Sequence, residues 1–330
     1  MAVESVYGTK VATTRAYEFV SETFDWQPTF SQGAGLRVGS RAPRSNRRKL
    51  SKSAVGGDLV VEGVSKGLGL LFNAALGTST STLITGSSYQ QVHTPITSDY
   101  LPSFTIQKGV PPLGGGATLP HTFAGMQCNT IDFSIAPGGI LQIKTAWMGK
   151  AVDTSTGYAA PSYPATPELF TFVDGAITIG GSVTLPTTTA LATGGTVAAD
   201  VTDWSLTWDN KLDTAGYNLG GAGQRTRPSA VGLGVGTGKL TAEWDSTTLR
   251  DAFLNQTDLA LVLTFKTANA ISGTNYPTIQ VVIPEIRLDG ELPKSNAGNV
   301  VTQSIGYTVL DGSVASSPLY IVYVTADTAI

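Results

Sequence analysis

The chain has 330 residues, of which 41% are hydrophobic and 14% are charged, and its formal net charge is −3. This length allows two ordinary domains or one large β domain, and the charge argues against tight nucleic-acid binding, although passive contact with DNA stays open. The single cysteine, Cys128, excludes an intramolecular disulfide and a cysteine zinc site, and no stretch is apolar enough for a secretory signal or a membrane span.

The first predicted elements are a strand, a long loop, a second strand and a short helix. The segment 21–45 reads SETFDWQPTFSQGAGLRVGSRAPRS, so a strand leads into a loop rich in Gly and Arg. The segment 56–72 predicts a strand and then a helix at 67–76, GLGLLFNAAL, which Gly67 and Gly69 weaken.

A β-hairpin is predicted at 128–148, because two alternating runs flank a Pro-Gly-Gly turn. One face of the hairpin carries Ile131, Phe133, Ile135, Leu141, Ile143, Thr145 and Trp147. The other face carries Thr130, Asp132, Ser134, Gln142 and Lys144. The sequence leaves open which of the two faces is covered in an assembly.

The strand DWSLTWD at 203–209 places Trp204, Leu206 and Trp208 on one face, a pattern more typical of a core than of an exposed aromatic platform. Further strands are predicted in LALVLTFKTA, YPTIQVVIPEIRL, VTQSIGYTVL and LYIVYVTA. Strand signals therefore dominate the whole chain.

A second helix is predicted in DSTTLRDAFLNQ, residues 245–256. Asp245 or Ser246 can cap its N-terminus, and Leu249, Ala252 and Phe253 fall on one side. The predicted fold class is therefore mainly β, with about two short helices.

Several segments of the first half recur in the second half in the same order. Residues 21–45 match 205–229, and residues 56–72 match 237–253. The match then continues from 102–110 to 277–285 and from the hairpin 128–148 to 286–310. We therefore predict a tandem duplication, with halves 1–155 and 156–330 and a Pro-, Ser- and Thr-rich connector at 151–167. The alternative is chance similarity between two Gly-rich β segments.

A basic run follows the first strand, with almost no acidic residue before Asp58. It consists of Arg37, Arg41, Arg44, Arg47, Arg48, Lys49 and Lys52. Three interpretations stay open: an arm that docks on an acidic surface of a neighbouring subunit, a nucleic-acid arm, and a solvated flexible loop. No aromatic residue is interleaved in the run, so base stacking has no support.

No catalytic, metal or cofactor site is predicted. The two histidines, His93 and His121, are expected in or beside loops and lack the neighbours of a triad or a metal site. The segment GLGVGTGKL at 232–240 fails the phosphate-loop pattern and the dinucleotide pattern. The chain is therefore not expected to be an enzyme or to bind a cofactor.

Three stretches carry a further signal: VYGTKVATTRAYEFVSETF, AGMQCNTIDFSIAPGGILQIKTAWMGK and the C-terminal run from KLTAEWDSTTLRDAF to VVTQSIGYTVL. They resemble the major tail tube proteins of long-tailed, non-contractile bacteriophages. The resemblance covers most of the chain and implies a β-sandwich or partial barrel with one short flanking α-helix in each half. It also implies a virion protein, assembled in the host cytoplasm, whose stacked six-domain rings form a hollow tube for genome DNA.

The resemblance further implies tape-measure, tail-terminator and tail-tip proteins as partners, and passage of DNA without specific binding. Together with the duplication, it predicts a ring of three chains with pseudo-sixfold symmetry. The basic run and its shorter counterpart at 220–236 are expected to contact the adjacent ring. Thr130, Asp132, Ser134, Gln142 and Lys144 are expected to face the lumen. The competing functions are a carbohydrate- or receptor-binding β-sandwich module and a glycosidase-like enzyme.

Overall fold

The computed structural model describes residues 1–330 except 197–199, 245–246, 291, 294, 296–297 and 299. The first half contains β1 (Ala2–Val3), β2 (Ser21–Glu22), β3 (Asp25–Gln32), β4 (Arg48–Glu62), α1 (Gly69–Leu76), β5 (Gly77–Thr85), β6 (Ser88–Pro95), β7 (Phe104–Val110), β8 (Leu119–Ile135), β9 (Gln142–Gly149) and β10 (Ala151–Asp153). The second half contains β11 (Gly175–Ile179), β12 (Val183–Thr184), β13 (Thr193–Gly194), β14 (Val201–Asp209), β15 (Val235–Glu243), α2 (Thr248–Asn255), β16 (Leu259–Lys266), β17 (Thr278–Gly290), β18 (Thr302–Val309) and β19 (Tyr320–Thr325). The predicted mainly β fold is confirmed.

Both predicted helices are present, and each ends in a residue with left-handed backbone. Helix α1 stops at Gly77 (φ 87°), and α2 stops at Gln256 (φ 49°), so a backbone N–H turns back to the last carbonyls of each helix. The cap residues predicted for α2, Asp245 and Ser246, lie outside the described residues. Every residue of α1 except Asn73 is buried, because apolar side chains surround that helix on all sides.

Eight strands form one continuous antiparallel ladder in the order β3, β4, β9, β8, β14, β15, β18 and β17. Strand β2 extends the β3 edge by pairing with β4. The junction between the halves is the β8–β14 pair, in which Ile131 lies opposite Trp208 and Phe133 opposite Leu206. The two halves therefore share one sheet.

The long strands β8 and β17 change partners along their length. The first part of β8 pairs with β7 and β10, and the first part of β17 pairs with β16 and β19. Only their C-terminal parts belong to the eight-strand ladder. The hairpin β5–β6 joins β19 through β6, which ties the halves together a second time.

One hydrophobic core takes side chains from both halves, including Phe133, Trp147, Trp204 and Tyr307. Phe72 of α1 lies in its middle, 5.7 Å from the Tyr323 ring in an edge-on contact. The prediction that both histidines lie in or beside loops is wrong: His93 is a buried residue of β6, and His121 belongs to β8. Strands β6 and β8 include the two histidines, because both strands are longer than the short apolar runs around His93 and His121 indicated.

The two halves repeat the same local pairing. In the first half Phe104 lies opposite Met126 and Ile106 opposite Phe123, with a register irregularity between the two pairs. In the second half Leu259 lies opposite Ile286 and Leu261 opposite Ile283, again with an irregularity between them. Strand β7 therefore corresponds to β16, and β8 corresponds to β17.

This correspondence corrects one of the sequence matches. Residues 102–110 contain β7, whereas 277–285 belong to β17, so the expected match between them is wrong. Both segments are short apolar strands next to a proline, which makes them similar in sequence. The match of hairpin 128–148 with 286–310 agrees with the pairing of β8 with β9 and of β17 with β18.

Candidate assembly surfaces

The polar residues predicted from the hairpin share one face of the eight-strand ladder. They are Thr130, Asp132, Ser134, Gln142 and Lys144, all half-buried or exposed. Their neighbours Ile131, Phe133 and Ile143 point to the opposite side and are buried. The face crosses into the second half, because Ser134 lies opposite Ser205 in β14.

Acidic side chains outnumber basic ones on this polar face. The acidic ones are Asp25, Asp58, Glu62, Asp132, Asp203, Asp209, Glu243 and Asp289, and the basic ones are Lys49, Lys52, Lys144, Lys239 and Arg287. Lys144 lies 2.8 Å from Asp58, and this hydrogen bond raises the pKa of Lys144. The Thr207 hydroxyl donates to Asp132 at 2.6 Å across the β8–β14 junction.

The ladder ends in two edges that pair with no strand in the described part of the chain. One edge is formed by β2 and β3. The other is the C-terminal end of β17, where Asp289 and Gly290 are exposed and pair only with β18. Unpaired edges display backbone donors and acceptors, which makes them natural sites of association.

The seven basic residues occupy a long arm between β3 and β4. Arg37, Arg41 and Arg44 lie in its loop, Arg47 lies in a 3-10 turn, and Arg48, Lys49 and Lys52 begin β4. All are exposed except Arg44, which is half-buried, and none forms an ion pair with a described acidic residue. The arm therefore presents its positive charge to its surroundings.

The corresponding loop of the second half, residues 210–234, lies on the first half of the same chain. Its Gly223 carbonyl accepts from the Ser53 N–H at 2.8 Å. The Arg227 guanidinium donates to the Leu101 carbonyl at 2.8 Å, and the Ala230 N–H donates to the Asp99 carbonyl at 2.9 Å. In the single chain these contacts hold most of the segment 220–236, which was expected to contact the adjacent ring, against the first half.

Asn210 fastens the base of this loop. Its side-chain amide donates to the Ala75 carbonyl at 2.7 Å and to the Cys128 carbonyl at 3.2 Å. Its side-chain oxygen accepts from the Trp208 indole at 3.0 Å. A buried amide with all of these partners holds β14 against α1 and β8.

Residues 1–309 match the family model described as phage tail tube protein. The chain belongs to the phage tail tube protein family. Membership of this family makes the chain a structural protein of a bacteriophage tail tube and a component of the virion tail. Among curated proteins, no match to the sequence is found.

Other kinds of site receive no support from the described part of this tail tube protein. That part contains no group of three or more His, Cys, Asp or Glu residues able to hold a metal ion. None of its helices is long and apolar enough to cross a membrane. Trp204 and Trp208 are core residues, so these two do not form an exposed platform for a sugar.

Sequence reasoning missed an apolar stripe on the arm of the tail tube protein. Trp26, Pro28 and Phe30 share one face of β3, and Leu50 of β4 lies opposite Phe30. Trp26, Phe30 and Leu50 are large, exposed side chains. The alternation of Trp26, Pro28 and Phe30 in DWQPTF is the signal in the sequence that indicates the stripe. Arg48 stacks over the Phe30 ring, with 4.7 Å between its guanidinium carbon and the ring centre.

Proposed function

We propose that this tail tube protein assembles into rings of three chains with pseudo-sixfold symmetry, and that the rings stack into a hollow tube that conducts genome DNA. The observation that carries the proposal is the eight-strand ladder. Each half contributes four strands in corresponding order, β3–β4–β9–β8 and then β14–β15–β18–β17. A ladder with one free edge at each end closes when copies join head to tail.

A ring of three such ladders has the dimensions of a channel. Its barrel contains about 24 strands, spaced about 4.8 Å apart and tilted by about 40°. The circumference is then roughly 150 Å and the diameter of the backbone cylinder roughly 50 Å. Such a cylinder is wide enough for a DNA duplex even after the side chains that point inwards have narrowed its bore.

We propose that the polar face lines this bore, with Thr130, Asp132, Ser134, Gln142 and Lys144 among the lumen residues. The opposite face of the same strands is buried in the core, which leaves the polar face for solvent. The excess of acidic side chains on this face repels the phosphates of DNA, so genome passage needs no specific binding. The role is structural rather than enzymatic.

The tandem origin of the chain, with halves 1–155 and 156–330, is part of the proposal. The corresponding ladders and the matching register irregularities support two fused copies of one tube domain. Assembly in the host cytoplasm, and contacts with tape-measure, tail-terminator and tail-tip proteins, complete the assignment.

Asymmetric image reconstruction of tubes made from the purified protein tests the stoichiometry. We expect three full-length chains per ring, with six similar but distinguishable lobes. Rings of six full-length chains would contradict the proposal. A monodisperse monomer that binds glycans and forms no ring at any concentration would favour a carbohydrate- or receptor-binding module instead.

The basic arm is proposed to contact the adjacent ring. Changing Arg44, Arg47, Arg48 and Lys49 to Ser is expected to shorten tubes in a polymerisation assay and to leave the unfolding midpoint nearly unchanged, because these side chains are solvent-exposed or half-buried. Lys266→Ser, which removes an exposed cation from the outer strand β16, is the matched control. Tubes of normal length from the arm variant would refute the contact.

A further inference from the structure

The edge hairpin of β3 and β4 carries an apolar surface that no other strand in the described part of the chain covers, although the Arg48 guanidinium lies over the Phe30 ring. Trp26 is 42% exposed, and Phe30 and Leu50 are exposed to a similar degree. Large apolar side chains grouped on an unpaired edge mark a site of association. Pro28 stands in the middle of the same strand, as is common in edge strands.

The second half shows what covers the corresponding surface there. Gly57 lies opposite Trp147, and Gly238 lies opposite Tyr307, so these two glycines take equivalent places in their ladders. Counting two residues back from each glycine reaches the partners of Trp26 and Trp208, which therefore take equivalent places. The sequence match of 21–45 with 205–229 instead places Trp26 at Asn210, two residues away, because similar residues in the two loops outweigh the strand register. Trp208 is only 5% exposed.

The difference in exposure between the two tryptophans has a visible cause. Strand β14 has a neighbour on each side, β15 and β8, and Trp208 lies opposite Ile131 of β8. Among the described residues, β3 has β4 on one side and nothing on the other. The missing neighbour of β3 is thus a strand that corresponds to the C-terminal part of β8.

That strand is the C-terminal part of β17. Ile131 lies opposite Thr145, and Gly290 lies opposite Ile305, and these partners take equivalent places in β9 and β18. Gly290 therefore corresponds to Ile131, and Asp289 corresponds to Thr130. Both Asp289 and Gly290 are exposed on the free edge, and glycine leaves space for an indole on the facing strand.

We propose that β3 of one copy pairs antiparallel with the end of β17 of a second copy, with Trp26 opposite Gly290 and Gln27 opposite Asp289. The register is that of the β8–β14 pair, in which Trp208 lies opposite Ile131 and Asp209 opposite Thr130. This inference rests on the proposed ring and adds its residue-level register. Because the two edges differ, the contact is head to tail and closes into a ring.

The occupant of the edge is a second copy of this chain rather than an unrelated protein. The chain already contains one complete example of the junction, built from residues in equivalent places. A strand of an unrelated protein would have to carry polar side chains on one face and leave room for the apolar stripe of β3 on the other. The second copy presents the matching edge at the required end of its own ladder.

Disulfide trapping tests the register. The variant Gln27→Cys with Asp289→Cys places thiols at exposed positions, so folding is retained. Directly opposed residues in an antiparallel pair have Cα atoms about 4.5–5.5 Å apart, within the range that a disulfide spans. Cys128 is buried and does not compete. Mild oxidation of assembled protein should give covalent dimers and trimers on a non-reducing gel.

Two matched variants define the result. Thr130→Cys with Asp209→Cys places the same pair at the internal junction and should yield only cross-linked monomers. Gln27→Cys with Arg287→Cys lies two residues out of register, where the Cα separation exceeds disulfide reach, and should cross-link at least about tenfold less.

The outcomes separate this inference from the proposed function. In-register cross-linking between chains supports the junction. Three-chain rings in images, combined with equal or stronger cross-linking of the out-of-register pair, overturn the register and leave the ring standing. A protein that forms no ring or tube and gives no cross-link between chains overturns both.

Discussion

The arms of the two halves differ in what they touch. The second arm, residues 210–234, is fixed to the first half of its own chain by Ser53, Leu101 and Asp99. The first arm projects from the ladder, and Leu36 and Val38 near its tip are fully exposed. Both arms follow a corresponding first strand, so the difference comes from the neighbour. The second arm lies against the first half of its own chain, whereas the tip of the first arm lies in solvent.

The helices show a second difference between the halves. Helix α1 is buried almost completely, whereas in α2 only Leu249 and Ala252 are buried and Leu254 is exposed. The first half inserts the hairpin β5–β6 after its helix, and both strands contact α1. The second half passes directly from α2 to β16. The depth of each helix therefore reflects both its own side chains, which are mostly apolar in α1 and half polar in α2, and the insertion that packs on α1.

The largest expected effect distinguishes the equivalent tryptophans. Trp208→Ala should destabilise the free chain by about 3–5 kcal/mol, because it empties a core site and leaves Asn210 without its indole partner. Trp26→Ala should cost less than about 1 kcal/mol in the free chain, since its side chain is already partly in water. Urea unfolding of unassembled protein measures both. Similar losses would contradict the assigned difference in burial.

The two helices allow a parallel test. Phe72→Ala in α1 should cost about 3–5 kcal/mol, because the Phe72 ring is fully buried against Phe133, His93 and Tyr323. Phe253→Ala, at the matching position of α2, should cost about half as much or less, because Phe253 is only partly buried. If the two variants unfold at the same urea concentration, the role given to the β5–β6 insertion is wrong.

The stability of the chain is expected to depend on pH, because the inserted hairpin contains the buried His93. Burial lowers the pKa of His93 to about 3, below the value of about 6.5 expected in the unfolded chain. The native state therefore binds fewer protons, and the stability that neutral His93 provides is complete above about pH 6.5 and is lost as the pH falls towards 3. The effect is on the order of a few kcal/mol.

His93→Asn is the variant to compare, because its side-chain oxygen can replace the ring nitrogen that lies 2.6 Å from the Ser79 hydroxyl. The free energy of unfolding, measured between about pH 4 and pH 7, should change less with pH in this variant than in the unaltered protein. Identical pH slopes for both proteins would exclude the proposed role of His93.

The smallest effect is expected on the polar face. Lys144→Ala removes an ion pair with Asp58 in which both side chains are well exposed, so the loss in the free chain should be less than about 1 kcal/mol. The difference should shrink further at high salt, because exposed charges are screened. A loss of several kcal/mol in thermal unfolding would show that Lys144 belongs to the packed structure rather than to the solvent-facing surface.

Local patterns were enough to predict much of the fold. The alternation in 128–148 predicted the hairpin β8–β9 and the division of its side chains between two faces, but it left open which face is covered. Both helices were predicted to within a few residues. The match between 102–110 and 277–285 failed, because similar short apolar runs do not reveal which strand is the partner of which.

The site was predictable only in part. The polar residues of the hairpin were placed on one face, since period-two alternation depends on nothing outside the strand. The stripe of Trp26, Phe30 and Leu50 was missed, because its exposure depends on which strands lie beside β3, and a local pattern does not specify that. His93 was misplaced, since its burial requires Phe72 and the inserted hairpin.

The sequence by itself determined the mainly β class, the two helices and the low proportion of charged residues. These properties follow from periodicity and composition, which act over a few neighbouring residues. Only the tertiary structure decided that the halves share one ladder, that one arm is docked and the other free, and which edges remain open. Strand pairing joins residues far apart in the chain, so the pattern of either partner alone cannot specify it.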